Sequence, residues 1–193
     1  MYSVYTTPGF IIGSRAYGEA EKIIFLFTRD FGLINVIARG IRLEKSKLRY
    51  STQDYTFGTF SLIKGKEFWR LISVVEQENN SDKCLNTEFV VHIALLLRRL
   101  LQGEQAEPEL FSYIQKGILF SRLSPEITLE QLKTLESVIV FRILELLGYI
   151  GKDQYLEEKI KSNNFSCILM DELLDSRASI NSHINKALKE SHL

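Results

Sequence analysis

The chain has 193 residues, of which 45% are hydrophobic and 25% charged, and this composition is ordinary for a globular protein of one or two compact units. Its apolar runs fall short of the ~20 residues that span a bilayer, and no charged segment followed by an apolar run stands at the N-terminus, so we expect neither a membrane protein nor a signal peptide. The formal net charge is zero, but residues 1–80 hold 11 Lys or Arg against 8 Asp or Glu, so an anionic partner would favour this half.

The first 78 or so residues are rich in Ile, Val, Phe, Tyr and Thr, which predicts short strands separated by glycine-containing turns. Gly58 is expected to permit a bulge, and four phenylalanines, Phe25, Phe27, Phe57 and Phe60, are expected in the core. Five short strands joined mostly by tight turns suit a small closed barrel, of which the OB-fold is the version that binds oligonucleotides. The predicted strands are Gly9–Ser14, Lys22–Phe27, Leu33–Arg39, Tyr55–Ile63 and Glu67–Glu76.

The second half has a helical period. Glu78–Lys83 is polar and typical of a linker, and beyond it apolar residues recur at spacings of three and four. Thr128 and Gln131 form a predicted capping box, and Gly148 is a predicted helix end. The sequence therefore predicts an α+β protein, with an OB-fold β-barrel domain at residues 1–78 and an all-helical domain of four to six helices at residues 79–193.

A basic loop follows the third predicted strand. It holds five cations and one acid, and Lys and Arg at such a loop favour contact with nucleic-acid phosphates. Tyr17, Tyr50, Tyr55 and Trp69 are candidate stacking faces for unpaired bases. The alternative is a solvated charged loop, with the aromatic side chains buried in the barrel. The five cations are Arg39, Arg42, Lys45, Lys47 and Arg49.

Enzyme signatures are missing from the sequence. Gly58–Lys66 has the wrong spacing for a phosphate loop, Glu67 stands where that motif needs Ser or Thr, and there is no GxSxG or HExxH. Cys84 and Cys167 form no CxxC pair, which predicts two reduced thiols in a cytoplasmic protein. We therefore expect no catalytic residue, no metal and no cofactor.

Several segments, in the same order along the chain, resemble the RecO family of recombination mediators. Ile12–Ile24 is similar to the opening of these proteins, Thr28–Gly32 to their next turn and Ala38–Arg42 to their alanine-base-glycine step. Pro108–Phe111 and Arg142–Tyr149 resemble two family segments in the helical half. One departure is clear, because many family members follow the Leu-Gly-Tyr segment with cysteines that hold zinc. Here no cysteine follows before Cys167, so the zinc site is expected to be absent and the C-terminal end to be short.

The resemblance implies a non-catalytic role in DNA repair. Such proteins bind single- and double-stranded DNA, anneal complementary strands and help the recombinase to displace single-strand-binding protein. They work with RecR, and their helical domain contacts the acidic C-terminal tail of single-strand-binding protein. A cytoplasmic, nucleoid-associated location follows from that role.

These expectations assign roles to ten residues. The five loop cations are predicted to contact DNA phosphates, with Arg15 and Lys22 as additional candidates. In the helical half Arg98, Arg99 or Arg142 is suggested to receive the acidic tail, against the alternative of salt bridges on helix surfaces. A competing hypothesis is a protein-interaction adaptor whose barrel binds another protein and no nucleic acid. A third, a small hydrolase or transferase, lacks a recognisable nucleophile, base or metal set.

Overall fold

The computed structural model describes residues 3–46, 48–76, 87–151 and 164–191. It forms two compact units, one of Met1–Asp82 with Val90–Phe111 and the other of Lys83–Phe89 with Ser112–Leu193. The predicted boundary after residue 78 lies outside the described residues and stays a prediction. The strands are β1 (Val4–Tyr17), β2 (Glu21–Thr28), β3 (Gly32–Ala38), β4 (Phe57–Lys64) and β5 (Trp69–Glu76). The helices are α1 (Leu48–Ser51), α2 (Thr87–Leu100), α3 (Pro108–Leu123), α4 (Leu129–Leu146), α5 (Cys167–Glu172) and α6 (Arg177–Glu190).

The five strands close into a barrel in the order β1-β2-β3-β5-β4, with β4 pairing back onto β1. All pairs are antiparallel except β3 with β5, which meet in parallel at Val36 opposite Trp69 and Ile37 opposite Arg70. A closed five-stranded barrel with helices after it is the predicted fold, and the OB-fold prediction is confirmed.

Strand β1 is much longer than the predicted Gly9–Ser14, because it pairs with two partners along its length. Its first half lies against β4 and its second half against β2, with a register shift between Ile11 and Gly13. Gly13 has a φ of +146°, which only glycine adopts readily. This bulge lets one strand serve two neighbours in the closed barrel.

The prediction of a bulge at Gly58 is wrong. Gly58 stays in register with both of its neighbouring strands, and the pairing of β4 with β5 shifts register instead between Ser61 and Leu62. Successive side chains of β4 therefore alternate through Gly58, with Phe57 on one face and Phe60 on the other. Both faces are buried, because both rings are only 1% exposed.

The barrel interior is filled by aliphatic and aromatic side chains from every strand and from the loop after β3. Phe31, Leu48 and Val74 pack against this core from its margins. The buried members are Ile11, Ile24, Leu26, Ile34, Val36, Ala38, Ile41, Phe60, Leu62, Trp69 and Leu71.

A second apolar layer lies on the outer face of the barrel, where part of the 90–111 segment of the same unit covers it. The ring of Phe111 meets Phe27 at 5.5 Å and Phe57 at 6.3 Å between ring centroids. Phe27, Phe57 and Phe60 are buried as expected. Phe25 is only half-buried, and the guanidinium of Arg98 lies 4.0 Å from its ring centroid.

The turn after α2 is tied to one end of the barrel by hydrogen bonds. The Leu33 amide donates to the Gly103 carbonyl at 3.0 Å, and the Glu104 carboxylate accepts from Lys64 Nζ at 2.6 Å and Trp69 Nε1 at 2.9 Å. Trp69 is 3% exposed, so its predicted use as a stacking face is wrong.

Helices are the only regular secondary structure in the described residues of the second unit. The predicted capping box of α4 is confirmed, because the Thr128 side chain accepts from the Gln131 amide and the Gln131 side chain accepts from the Thr128 amide. Helix α4 packs against α5 and α6. Across the described part of the chain, each helix is too short or too polar to cross a membrane.

Candidate nucleic-acid interface

The basic loop after β3 is a chain of turns anchored to the barrel. Gly40 has a φ of +64°, and the Leu43 amide donates to its carbonyl at 3.2 Å. Ile41, 2% exposed, packs into the barrel core, and the Arg42 amide donates to the Ala20 carbonyl in the β1–β2 turn at 3.1 Å. The apolar anchor and the backbone hydrogen bond hold the loop against the start of β2.

Three of the predicted DNA-binding cations line one pocket as a result. The pocket has a volume of about 310 Å³ and is lined by Lys22, Ile41, Arg42, Arg49 and Thr52. Lys22 comes from β2, Arg42 from the loop and Arg49 from α1, so residues up to 27 positions apart in sequence meet here. The loop cations Arg42 and Arg49 and the additional candidate Lys22 thus share one concave surface.

Hydrogen bonds and ion pairs orient the pocket side chains. Arg42 Nη1 donates to the Gly18 carbonyl at 3.1 Å, which leaves further N–H groups of this guanidinium available for a ligand. Lys22 Nζ lies 3.9 Å from Asp54 Oδ1, and Asp54 also accepts from the Ser14 hydroxyl. The Thr52 hydroxyl donates to the Leu48 carbonyl at 2.6 Å, which fixes the residues that follow α1.

Three other predicted DNA contacts, Arg39, Lys45 and Arg15, lie outside this pocket. Arg39 is exposed and pairs with Glu21, with 3.4 Å between Nε and Oε1. Lys45 and Arg15 are exposed and do not line this pocket. Lys47 lies outside the described residues. Whether any of these cations contacts DNA stays a prediction.

Two exposed tyrosines stand near the basic segment. Tyr50 follows Arg49 on α1 and is 72% exposed, and Tyr17, at the end of β1, is 43% exposed with its ring 6.2 Å from that of Phe68. Tyr55 is half-buried and has a φ of +69°, unusual for a residue other than glycine. Of the four candidate stacking residues, Tyr17 and Tyr50 offer the open faces.

The three arginines suggested for the acidic tail have different surroundings. Arg98 covers the Phe25 ring, and Arg99 is exposed near the end of α2. Arg142 is 6% exposed and forms an ion pair with Glu145, which is equally buried. Burial makes Arg142 the least accessible of the three, and the prediction of a tail contact stays untested.

Sequence reasoning missed several residues of the pocket. Ile41 and Thr52 line it, and Asp54 pairs with Lys22. An isoleucine between Arg39-Gly40 and Arg42 is a detectable signal, because an apolar residue within a charged loop favours a buried anchor. Thr52 and Asp54 give no comparable signal in the sequence.

The pocket suits an anion. Three cationic side chains supply charge-assisted donors, and one of them faces a carboxylate that offsets part of the charge. Within the described ranges, no group of three or more His, Cys, Asp or Glu side chains is placed to hold a metal ion.

Comparison with known proteins agrees with this fold. Residues 1–77 match the family model described as "Recombination protein O N terminal". The chain is 26% identical over 150 residues to "DNA repair protein RecO" of Clostridium novyi (strain NT), a match that covers 76% of this chain and 57% of the relative. It is 26% identical over 153 residues to the protein of the same name from Alkaliphilus metalliredigens (strain QYMF), covering 78% and 59%.

A third relative shows higher identity over a shorter stretch. The "DNA repair protein RecO" of Desulfitobacterium hafniense (strain Y51) is 33% identical over 113 residues, which are 56% of this chain and 41% of the relative. The matches thus span about half the length of these relatives. The closed five-stranded barrel thus lies within the residues that match the N-terminal model, and the chain is similar to these relatives named as RecO proteins.

Proposed function

We propose that this chain is a non-catalytic DNA-binding protein of recombinational repair, and that its barrel holds DNA through backbone phosphates. The observation that carries the proposal is the convergence of Lys22, Arg42 and Arg49 on one pocket of an OB-fold barrel. The names of the relatives, which describe DNA repair proteins, support the same biological setting.

The physical basis is electrostatic. A cation that reaches a phosphate releases a condensed counterion, and a guanidinium can also donate two parallel hydrogen bonds to phosphate oxygens. Arg39, Arg15, Lys45 and Lys47 would extend the contact along the strand on either side. A barrel that neutralises the backbones of two strands lowers their mutual repulsion, so that complementary bases can pair without any covalent step. Binding of single and double strands, and annealing of complementary strands, would follow from this electrostatic contact.

The partners belong to the same proposal. RecR and the acidic C-terminal tail of single-strand-binding protein are the expected protein partners, and together they would bring the recombinase onto coated DNA. Arg98 and Arg99 are the more accessible candidates for the tail, because Arg142 is buried with Glu145. The site of action would be the nucleoid in the cytoplasm.

The decisive experiment measures fluorescence anisotropy of a labelled single strand of about 16 nucleotides, the upper site size for one OB-fold, at low salt. The wild-type chain is expected to bind, and Arg42→Gln with Arg49→Gln is expected to bind more weakly at every sequence tested. Lys186→Gln, which removes an exposed charge from α6, is the matched control. An intact chain that binds no oligonucleotide would favour the adaptor hypothesis instead.

A further inference from the structure

We propose that the pocket of Lys22, Arg42 and Arg49, which can contact backbone phosphates, binds a terminal phosphate of a DNA strand more tightly than a phosphodiester within the strand. This inference rests on the proposed function, since it assumes that the barrel binds DNA. It goes further by naming the chemical group that the pocket prefers, the phosphomonoester at a strand end.

Charge favours a terminal phosphate. The described lining residues include three cations, and one carboxylate, that of Asp54, lies 3.9 Å from Lys22 Nζ. These four side chains together carry an excess of two positive charges. A phosphomonoester carries about −1.5 to −2 at pH 7, whereas each phosphodiester of the backbone carries only one negative charge. The charge of a terminal phosphate balances that of these side chains, whereas an internal phosphate leaves about one positive charge unbalanced.

Shape favours the same group. A phosphodiester has chain on both sides, whereas a terminal phosphate has chain on one side and can enter a concave site more deeply. The pocket is walled by β2, by the loop after β3 and by the segment of α1 and Thr52, with the buried Ile41 as its apolar wall. Its volume of about 310 Å³ is at the lower end of small-ligand sites and suits one nucleotide end.

Hydrogen bonds within the chain hold the pocket in place before any ligand arrives. The Arg42 guanidinium is fixed by the Gly18 carbonyl, and its backbone by the Ala20 carbonyl. The Thr52 hydroxyl is held by the Leu48 carbonyl at the other wall. Side chains restrained in this way lose less conformational entropy on binding than free surface arginines do.

The test compares strands that differ only at their ends. A single strand with a 5′-phosphate, the same strand with a 3′-phosphate, and the strand with hydroxyls at both ends are titrated against the full chain. A fourth strand, unphosphorylated and about two nucleotides longer, carries about the same total charge as the phosphorylated ones and controls for general electrostatics. Thymidine 5′-monophosphate is added as a competitor, to separate a strand end from a free nucleotide as the source of the phosphomonoester.

The expected result is that one phosphorylated end binds about tenfold more tightly than the longer hydroxyl strand, the gain from one added charge-assisted contact. Arg42→Gln and Arg49→Gln should each lose that preference, and Lys186→Gln, which removes an exposed charge from α6, should keep it. Circular dichroism and the melting temperature establish that each variant is folded. Because Arg42 also binds Gly18, Arg49→Gln serves if Arg42→Gln does not fold.

Equal binding of all the strands would overturn the inference and leave the proposed function standing. A preference that survives both pocket substitutions would show that the terminal phosphate binds elsewhere, and would overturn it too. If thymidine monophosphate occupies the pocket while phosphorylated and hydroxyl strands bind alike, the pocket serves free nucleotides and the inference is wrong. Absence of any DNA binding would overturn the proposed function, and the inference with it.

Discussion

Of the described glycines, Gly32 has the least room for a side chain. Its φ is +69°, and a Cβ built there would lie 2.1 Å from the Gln105 carbonyl oxygen. Gly18 has a similar φ of +59°, but nothing lies within 4 Å of a Cβ at that position. The two glycines share a left-handed conformation and differ in the space around them, so they form a matched pair.

We expect Gly32→Ala to lower the free energy of unfolding by about 2–5 kcal/mol, because backbone strain and a backbone clash add. Gly18→Ala should lose only the strain, about 1–2 kcal/mol. Urea unfolding of both variants measures the difference. Equal losses of stability in the two variants would mean that the Gln105 segment moves away at little cost in free energy.

Arg142 and Glu145 form an ion pair in the second unit, with only 7% and 6% of their side chains exposed. Removing one partner would leave the other charge buried, so Arg142→Ala should lower the free energy of unfolding by about 3–5 kcal/mol. Replacing both residues, with Arg142→Met and Glu145→Leu, should lower the free energy of unfolding by less, because apolar side chains of similar volume need no compensating charge. Thermal unfolding of the full chain provides the measurement.

The outcome also bears on the acidic-tail prediction. If Arg142→Ala is as stable as the wild type, the guanidinium is not needed inside the unit and becomes a better candidate for a partner contact. A large loss of stability would leave Arg98 and Arg99 as the residues to test, by titrating an acidic peptide against charge-reversal variants.

At the scale of elements, the turn after α2 is linked to β4 and β5 through one carboxylate. The Lys64 ammonium and then the Trp69 indole N–H, both hydrogen-bonded to Glu104, hold the pKa of that carboxyl below its ordinary value of 4.5. The resulting stabilisation is present above the ordinary value and is lost as pH falls through the lowered pKa. Both partners of the ion pair are about half exposed, so the effect is limited to about 1 kcal/mol or less.

Glu104→Gln should therefore be less stable than the wild type near pH 7 and should approach it in acid. The measurement is the urea midpoint of both proteins between about pH 7 and about pH 3. Glu44→Gln, in the exposed loop after β3, is the control, and its urea midpoint should change with pH as that of the wild type does. A constant gap between Glu104→Gln and the wild type across this range would show that the carboxylate contributes no pH-dependent stability.

At the scale of the whole molecule, the proposed function makes a quantitative prediction about salt. Each phosphate contact to a single strand contributes about 0.7 to the slope of the logarithm of the binding constant against the logarithm of salt concentration. Removing Arg42 and Arg49 together should flatten that slope by about 1.4. Lys186→Gln should leave it unchanged. An unaltered slope in the double variant would place the DNA contacts outside the pocket.

The local elements of this protein were predictable from its sequence. All five strands and the capping box of α4 occur where β-rich runs, turn glycines and the Thr128–Gln131 spacing put them, with shifts of a few residues at the ends. The exception is β1, which extends from Val4 to Tyr17 because two strands pair with it. Pairing of that kind depends on barrel closure, which no local pattern encodes.

The sequence by itself determined the OB-fold class, the family resemblance and the excess of cations after the third strand, because these depend on composition, periodicity and motif order along the chain. Only the tertiary structure decided which cations meet. Lys22 lines the same pocket as Arg42 and Arg49 because β2 pairs with β3 in one register and Ile41 anchors the loop in the core. The tertiary structure also decided that Trp69 is buried beside Glu104, 35 positions away. Contacts between distant residues depend on register and closure, and a linear pattern specifies neither.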